Sequence, residues 1–200
     1  MRKFRNNVAA GAWIALALGL LVLPLRWLIA AFAAAFFHEL CHWSAVRLCG
    51  GSMADFHMGI GGAQMEVAGL SRGQELFCAL AGPLGGLLLL FFAKWFPAVA
   101  VCGVFQSAYN LLPVYPMDGG RALRCGARLI LSPRVAELVC TWLERICMST
   151  LVLAGIYAAI FLKLGLMPLI LALVVILKKF LANRADNEYN RPSNIKGVRL

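Results

Sequence analysis

Charge is scarce in this chain. Asp, Glu, Lys and Arg make up 14% of its 200 residues, against 62% hydrophobic residues. That balance excludes an ordinary water-soluble domain and is the composition of an integral membrane protein. The seven cysteines are odd in number and include no C-x-x-C pair, which excludes a disulfide framework or a cysteine zinc cluster. Most lie in apolar segments and read as small buried residues or reduced thiols. Internal repeats and low-complexity tracts are absent as well. The net charge of +10 sits between apolar stretches rather than on one amphipathic surface. It therefore reads as a topological signal, and nucleic-acid binding is not expected.

What the chain does have is apolar runs of membrane-crossing length. We expect six spans. The first, about Val8 to Leu25, reads as a retained span rather than a cleaved signal, because no polar cleavage region follows it. The second runs roughly from Trp27 to Leu48. The third runs about Glu75 to Trp95, the fourth about Ala98 to Leu112, the fifth about Cys147 to Leu164, and the sixth about Met167 to Leu181. Between spans two and three, Met53–Ile60 and Ala63–Val67 alternate around Gly61-Gly62 and predict a β-hairpin. The expectation is an all-α polytopic membrane protein: six transmembrane helices in residues 1–181, a small membrane-associated hairpin, and a polar, disordered cytoplasmic tail over 182–200.

Inside the second span stands His38-Glu39-Leu40-Cys41-His42. Residues four apart share one face of a helix, so His38 and His42 can hold one metal ion. Glu39 is about 100° round from His38, placed to reach a bound water without ligating the metal. This is the H-E-x-x-H zinc-hydrolase pattern. Zinc lowers the pKa of bound water towards about 7, and the glutamate takes the proton. A histidine pair packed against neighbouring helices is the plain alternative. Polar groups in a span are costly enough to favour function.

A catalytic zinc needs a third protein ligand and an open position. With six spans both termini lie on one side. Of the nineteen Lys and Arg, all but Arg26, Lys94 and Lys163 then fall on that same side, which the positive-inside rule makes cytoplasmic. Spans two and four run in the same direction, so Asp118, just beyond span four, approaches the level of His42 and can complete the site. Asp118 also reads as the N-cap of a short basic helix, Arg121 to Leu131, and capping is compatible with ligation. Asn110 reads either as interhelical glue or as a donor to a substrate carbonyl or oxyanion. Ala81-Gly-Pro-Leu-Gly-Gly86 reads as a close-packing stretch with Pro83 as a kink.

The HELCH motif, Ala81–Gly86 and Asn110-Leu-Leu-Pro-Val-Tyr-Pro-Met-Asp-Gly-Gly-Arg121 together resemble the site-2 protease family over roughly residues 10 to 180. Within it, the likeness is to the bacterial stage IV sporulation factor B type. The resemblance implies an intramembrane metalloendopeptidase with one zinc ion on His38, His42 and Asp118, Glu39 activating water, and Asn110 and Pro116 shaping the substrate side. It also implies a membrane-tethered or membrane-associated protein substrate, such as a transcription-factor precursor or its inhibitor. An inhibitory membrane protein is the further partner, and the setting is the bacterial cell membrane and sporulation. Cys41 departs from the family's usual glycine and reads as a small tolerated residue. His57 reads as a polar hairpin residue rather than a regulatory ligand. No nucleotide-binding regulatory domain is expected within the 200 residues.

A transmembrane helix hides its carbonyls in hydrogen bonds, so a substrate must unwind before cleavage. The hairpin could hold the unwound strand by β-augmentation. The reading from another class is a non-catalytic zinc-binding scaffold or ion transporter, since intramembrane acids and histidines also line ion paths. Glu39 separates the two, because a passive site does not need it.

Overall fold

The apolar segment that carries the histidines folds as one helix, α1 (Leu25–Leu48). Leu25, Ile29, Phe32, Phe36, Leu40 and Trp43 recur every three or four residues along its outer face and are all exposed. Ala30, Ala34, His38 and Ala45 are buried on the other. A stripe of that size would be strongly unfavourable in water, and it suits lipid. The computed structural model that shows this describes residues 24–59, 62–163, 165 and 167–189. The expected first span, about Val8 to Leu25, lies almost wholly outside them.

After α1, strands β1 (Ser52–Gly59) and β2 (Gly62–Ala68) pair antiparallel from Ser52 opposite Ala68 to Gly59 opposite Gly62, with a register shift between Met53 and Asp55. The expected glycine turn falls on residues 60 and 61, outside the described residues. His57 stands opposite Gln64 in the ladder; its side chain is likewise outside the description.

Helix α2 (Arg72–Leu88) starts with a capping box. Ser71 Oγ accepts from the Gln74 N–H, and the Gln74 side chain accepts from the Ser71 N–H. A 3-10 turn (Leu89–Phe92) extends it. Helix α3 (Pro97–Asn110) follows, then α4 (Asp118–Ile130), α5 (Pro133–Ile160) and α6 (Met167–Tyr189). Among the described residues, α1, α2 with its 3-10 extension, and α5 are long and apolar enough to cross a membrane. Three of the expected six spans meet that test, and the first lies almost wholly outside the described residues. Pro97 and Pro113 bracket α3 and hold it to 14 residues, about 21 Å of helix against a hydrocarbon core of about 30 Å.

The expected tail is also corrected in part. Helix α6 runs on to Tyr189, because Ala182, Arg184, Ala185 and Glu188 propagate an existing helix at little cost.

Helix α1 packs against α2 and α3, α4 packs against α2 and α5, and α5 packs against α6. One core cluster, Ala45, Val46 and Cys78, joins α1 to α2. A second, Val114, Met117 and Val175, seats the α3–α4 loop on α6, with Cys147, Met148 and Leu151 of α5 around it. The first cluster fixes the histidines and the second fixes Asp118.

Candidate metal centre

Two helices deliver the donor atoms. His38 and His42 come from α1, and Asp118 is the first residue of α4. The Asp118 Oδ2 lies 3.0 Å from His38 Nε2 and 3.2 Å from His42 Nε2, and the two Nε2 atoms are 3.2 Å apart. Met117, with an extended backbone, holds the N-cap position. The expectation that Asp118 caps α4 is therefore corrected: its carboxylate turns to the imidazoles instead. Burial alone would raise the Asp118 carboxyl, but the adjoining imidazoles outweigh it and hold it below the usual carboxylate range.

His42 Nδ1 donates to the Cys78 carbonyl at 2.7 Å. A carbonyl only accepts, so the proton of a neutral His42 sits on Nδ1 and its Nε2 presents a lone pair. That lone pair faces a carboxylate oxygen 3.2 Å away. Two acceptors at that distance need a proton or a metal ion between them. Ligand atoms about 2.0–2.1 Å from a tetrahedral zinc are about 3.3 Å from each other, close to the three edges observed. The donor set therefore fits zinc, and an outer hydrogen bond of the Cys78 kind is what orients a ligating imidazole.

The other motif residues take distinct places. Glu39, half-buried, lines a cavity of about 420 Å³ together with His42, Asp118 and Arg121, on the side of α1 that faces α2 and α4. Asn110, the last residue of α3, brings its Nδ2 to 3.3 Å from His38 Nε2. Pro116 is buried in the loop, after a cis Tyr115–Pro116 bond. Neither Asn110 nor Pro116 is on the cavity wall. Cys41 is not among the converging donors; its sulfur occupies the space beside Gly85 of α2.

Glu144 was not singled out in the sequence. It is 2% exposed and holds the Asp118 loop from behind. Its Oε1 accepts from the Tyr115 N–H at 2.8 Å and from Arg124 Nη2 at 3.2 Å, and its Oε2 accepts from Lys179 Nζ at 2.7 Å. The signal that could have found it is a carboxylate within an otherwise apolar stretch, which needs a partner. Glu144→Gln removes the charge that two cations share. It is expected to cost roughly 2–3 kcal/mol, a little below the range for fully buried pairs because both cations reach the surface. The check is the thermal midpoint in detergent, read beside zinc content. Glu144→Asp should recover part of both.

A pair of α1 histidines meeting an aspartate at the start of a later helix defines a candidate metal centre within a mostly helical fold. The fold is similar to that of a solved structure, the Site-2 Protease from Methanocaldococcus jannaschii. The TM-score is 0.59 at 17% sequence identity, and the match covers 97% of this chain and 92% of that one. At that identity the likeness shows the fold. No protein-family model and no curated protein matches the sequence.

Proposed function

We propose that the protein is an intramembrane zinc metalloprotease that cleaves a peptide bond in a membrane-embedded or membrane-associated protein. The observation that carries this reading is the convergence of His38, His42 and Asp118 beside a cavity that Glu39 also lines. The site-2 protease fold supports it.

His38, His42 and Asp118 would hold the zinc ion, which when bound supplies Lewis acidity towards a peptide carbonyl and acidifies water. Glu39 takes the proton of the attacking water and returns it to the leaving amide nitrogen. Asn110 Nδ2, 3.3 Å from His38 Nε2 at the edge of the site, would donate to the carbonyl oxygen of a bound substrate. The polar wall formed by Glu75, Arg121, Arg124 and Arg128 supplies the wet path that hydrolysis between apolar helices needs. The remaining parts of the reading are six spans, the 14-residue α3 a short one among them, with both termini cytoplasmic, the β1–β2 hairpin beside the membrane holding an extended substrate, and a regulator of gene expression as substrate. They are supported by the basic-residue asymmetry and by the Asn110–Arg121 motif.

The test is metal removal. Chelator-treated protein in detergent, given a library of apolar peptides read by mass spectrometry, should cut nothing. One equivalent of zinc should restore cleavage. Stoichiometric zinc binding with no cleavage of any peptide or co-expressed membrane protein would favour the scaffold or transporter reading.

A further inference from the structure

The cavity beside the metal centre runs along α4. Asp118, Arg121, Arg124, Cys125 and Arg128 line it from one side, and Glu39, His42 and Val46 of α1 from another. From Asp118 to Arg128 is ten residues, about 15 Å of helix, enough for four or five residues of extended peptide. The three arginines differ in what they already hold. Arg124 pairs with Glu144 at 3.2 Å and Glu137 at 3.7 Å, and Arg128 pairs with Glu137 at 3.3 Å. Arg121 has no acidic partner within ion-pair distance among the described residues, although it is half-buried and one turn from Asp118. The two acids closest to it in role, Glu39 and Asp118, are engaged in the chemistry proposed above. A half-buried guanidinium on the cavity wall that is in no ion pair is a ready partner for a carboxylate.

We propose that Arg121 is a specificity residue that binds an Asp or Glu side chain of the substrate within about two residues of the scissile bond, counted along the part of the peptide that lies in the α4 groove. The reach follows from the spacing. Arg121 is about 4.5 Å along α4 from Asp118, and extended peptide advances about 3.3 Å per residue. The substrate class this selects is an unwound apolar segment interrupted by an acidic residue, instead of an uninterrupted hydrophobic span. The inference rests on the protease reading for the words substrate and scissile bond, but the subsite itself is a binding claim.

The experiment uses the full chain, zinc-loaded and carrying Glu39→Gln, so that nothing is consumed. Its probes are fluorescein-labelled apolar peptides in which Asp or Asn is scanned through successive positions. At one position the Asp peptide should bind at least about tenfold more tightly than its Asn twin, the factor expected for one charge-assisted hydrogen-bonded pair. Adding Arg121→Gln should bring that ratio to within about twofold, and Arg121→Lys should leave an intermediate ratio. The Asp/Asn comparison on unaltered Arg121 needs no substitution beyond Glu39→Gln. Absence of any Asp preference, or a preference that survives Arg121→Gln, overturns the proposal. If the Asp preference stands while the parent protein cuts none of the peptides, it is the protease reading that fails and the anion subsite that holds.

Discussion

Glu39→Gln is expected to abolish cleavage while leaving the zinc content of the purified protein at the parent level. The two halves of that outcome come from one geometric fact. Glu39 lines the cavity, whereas the donor atoms that converge are those of His38, His42 and Asp118. Glutamine keeps the shape and burial of the side chain but cannot take a proton, so the general-base and general-acid steps are lost together. Such steps contribute about 10²–10⁴-fold, and a loss of at least about a hundredfold in kcat is expected. Asp118→Asn gives the contrasting outcome. It removes the anion from the donor set, so zinc and cleavage should fall together. Zinc by elemental analysis and product formation by mass spectrometry, measured on the same preparations, separate the two cases. Cleavage by Glu39→Gln at the parent rate would remove Glu39 from the chemistry. Zinc loss in Glu39→Gln would make it a ligand instead.

The convergence of the three candidate ligands was legible in the sequence because its parts obey short rules. The 38/42 spacing is one helical turn, and α1 delivers both imidazoles to one point. Asp118 was reached through topology, by counting crossings. In the structure the C-terminal parts of α1 and α3 do meet, with Asn110 at 3.3 Å from His38. What the sequence could not give was the depth of each helix. The run from Ala98 to Leu112 is apolar enough to suggest a span, but proline at both ends stops the helix at 14 residues. Hydropathy counts residues, and membrane crossing depends on helical length. The cap at α4 was misassigned for a related reason. Asp is a good N-cap by local chemistry, and here a contact 80 residues away in sequence, to His38, outcompetes the local bond. Glu144 and the His42–Cys78 bond belong to the same class. They are long-range polar contacts that no periodicity announces. They decide whether the three donors stay within 3.0–3.2 Å of one another.

Gly82→Ala should strip the protein of zinc without unfolding it. The small-residue stretch Ala81–Gly86 read as a packing device, and at Gly82 what it packs is the His42 imidazole itself. A β-carbon there would overlap the Nε2, Cδ2 and Cε1 atoms of the His42 ring. The ring has no direction of retreat that keeps its role. Its Nδ1 is tied to the Cys78 carbonyl one turn earlier on the same helix, at 2.7 Å, and its Nε2 must stay at the His38–Asp118 edge. Moving by the ångström or so that a methyl group requires breaks one bond or the other. Loss of an orienting bond on a metal ligand typically costs 10–100-fold in metal affinity or activity. Here the ligand atom is displaced as well, so at least about a hundredfold weaker zinc binding is expected, with cleavage partly restored at high zinc. Gly73→Ala supplies the comparison. It lies in the first turn of the same helix with nothing within 4 Å of the added β-carbon, so it should be neutral to slightly stabilising and bind zinc as the parent does. Zinc titration of the two variants and the parent, with thermal midpoints in the same detergent, reads the difference. Parent-like zinc affinity in Gly82→Ala would mean that His42 does not ligate through the atom that faces Asp118.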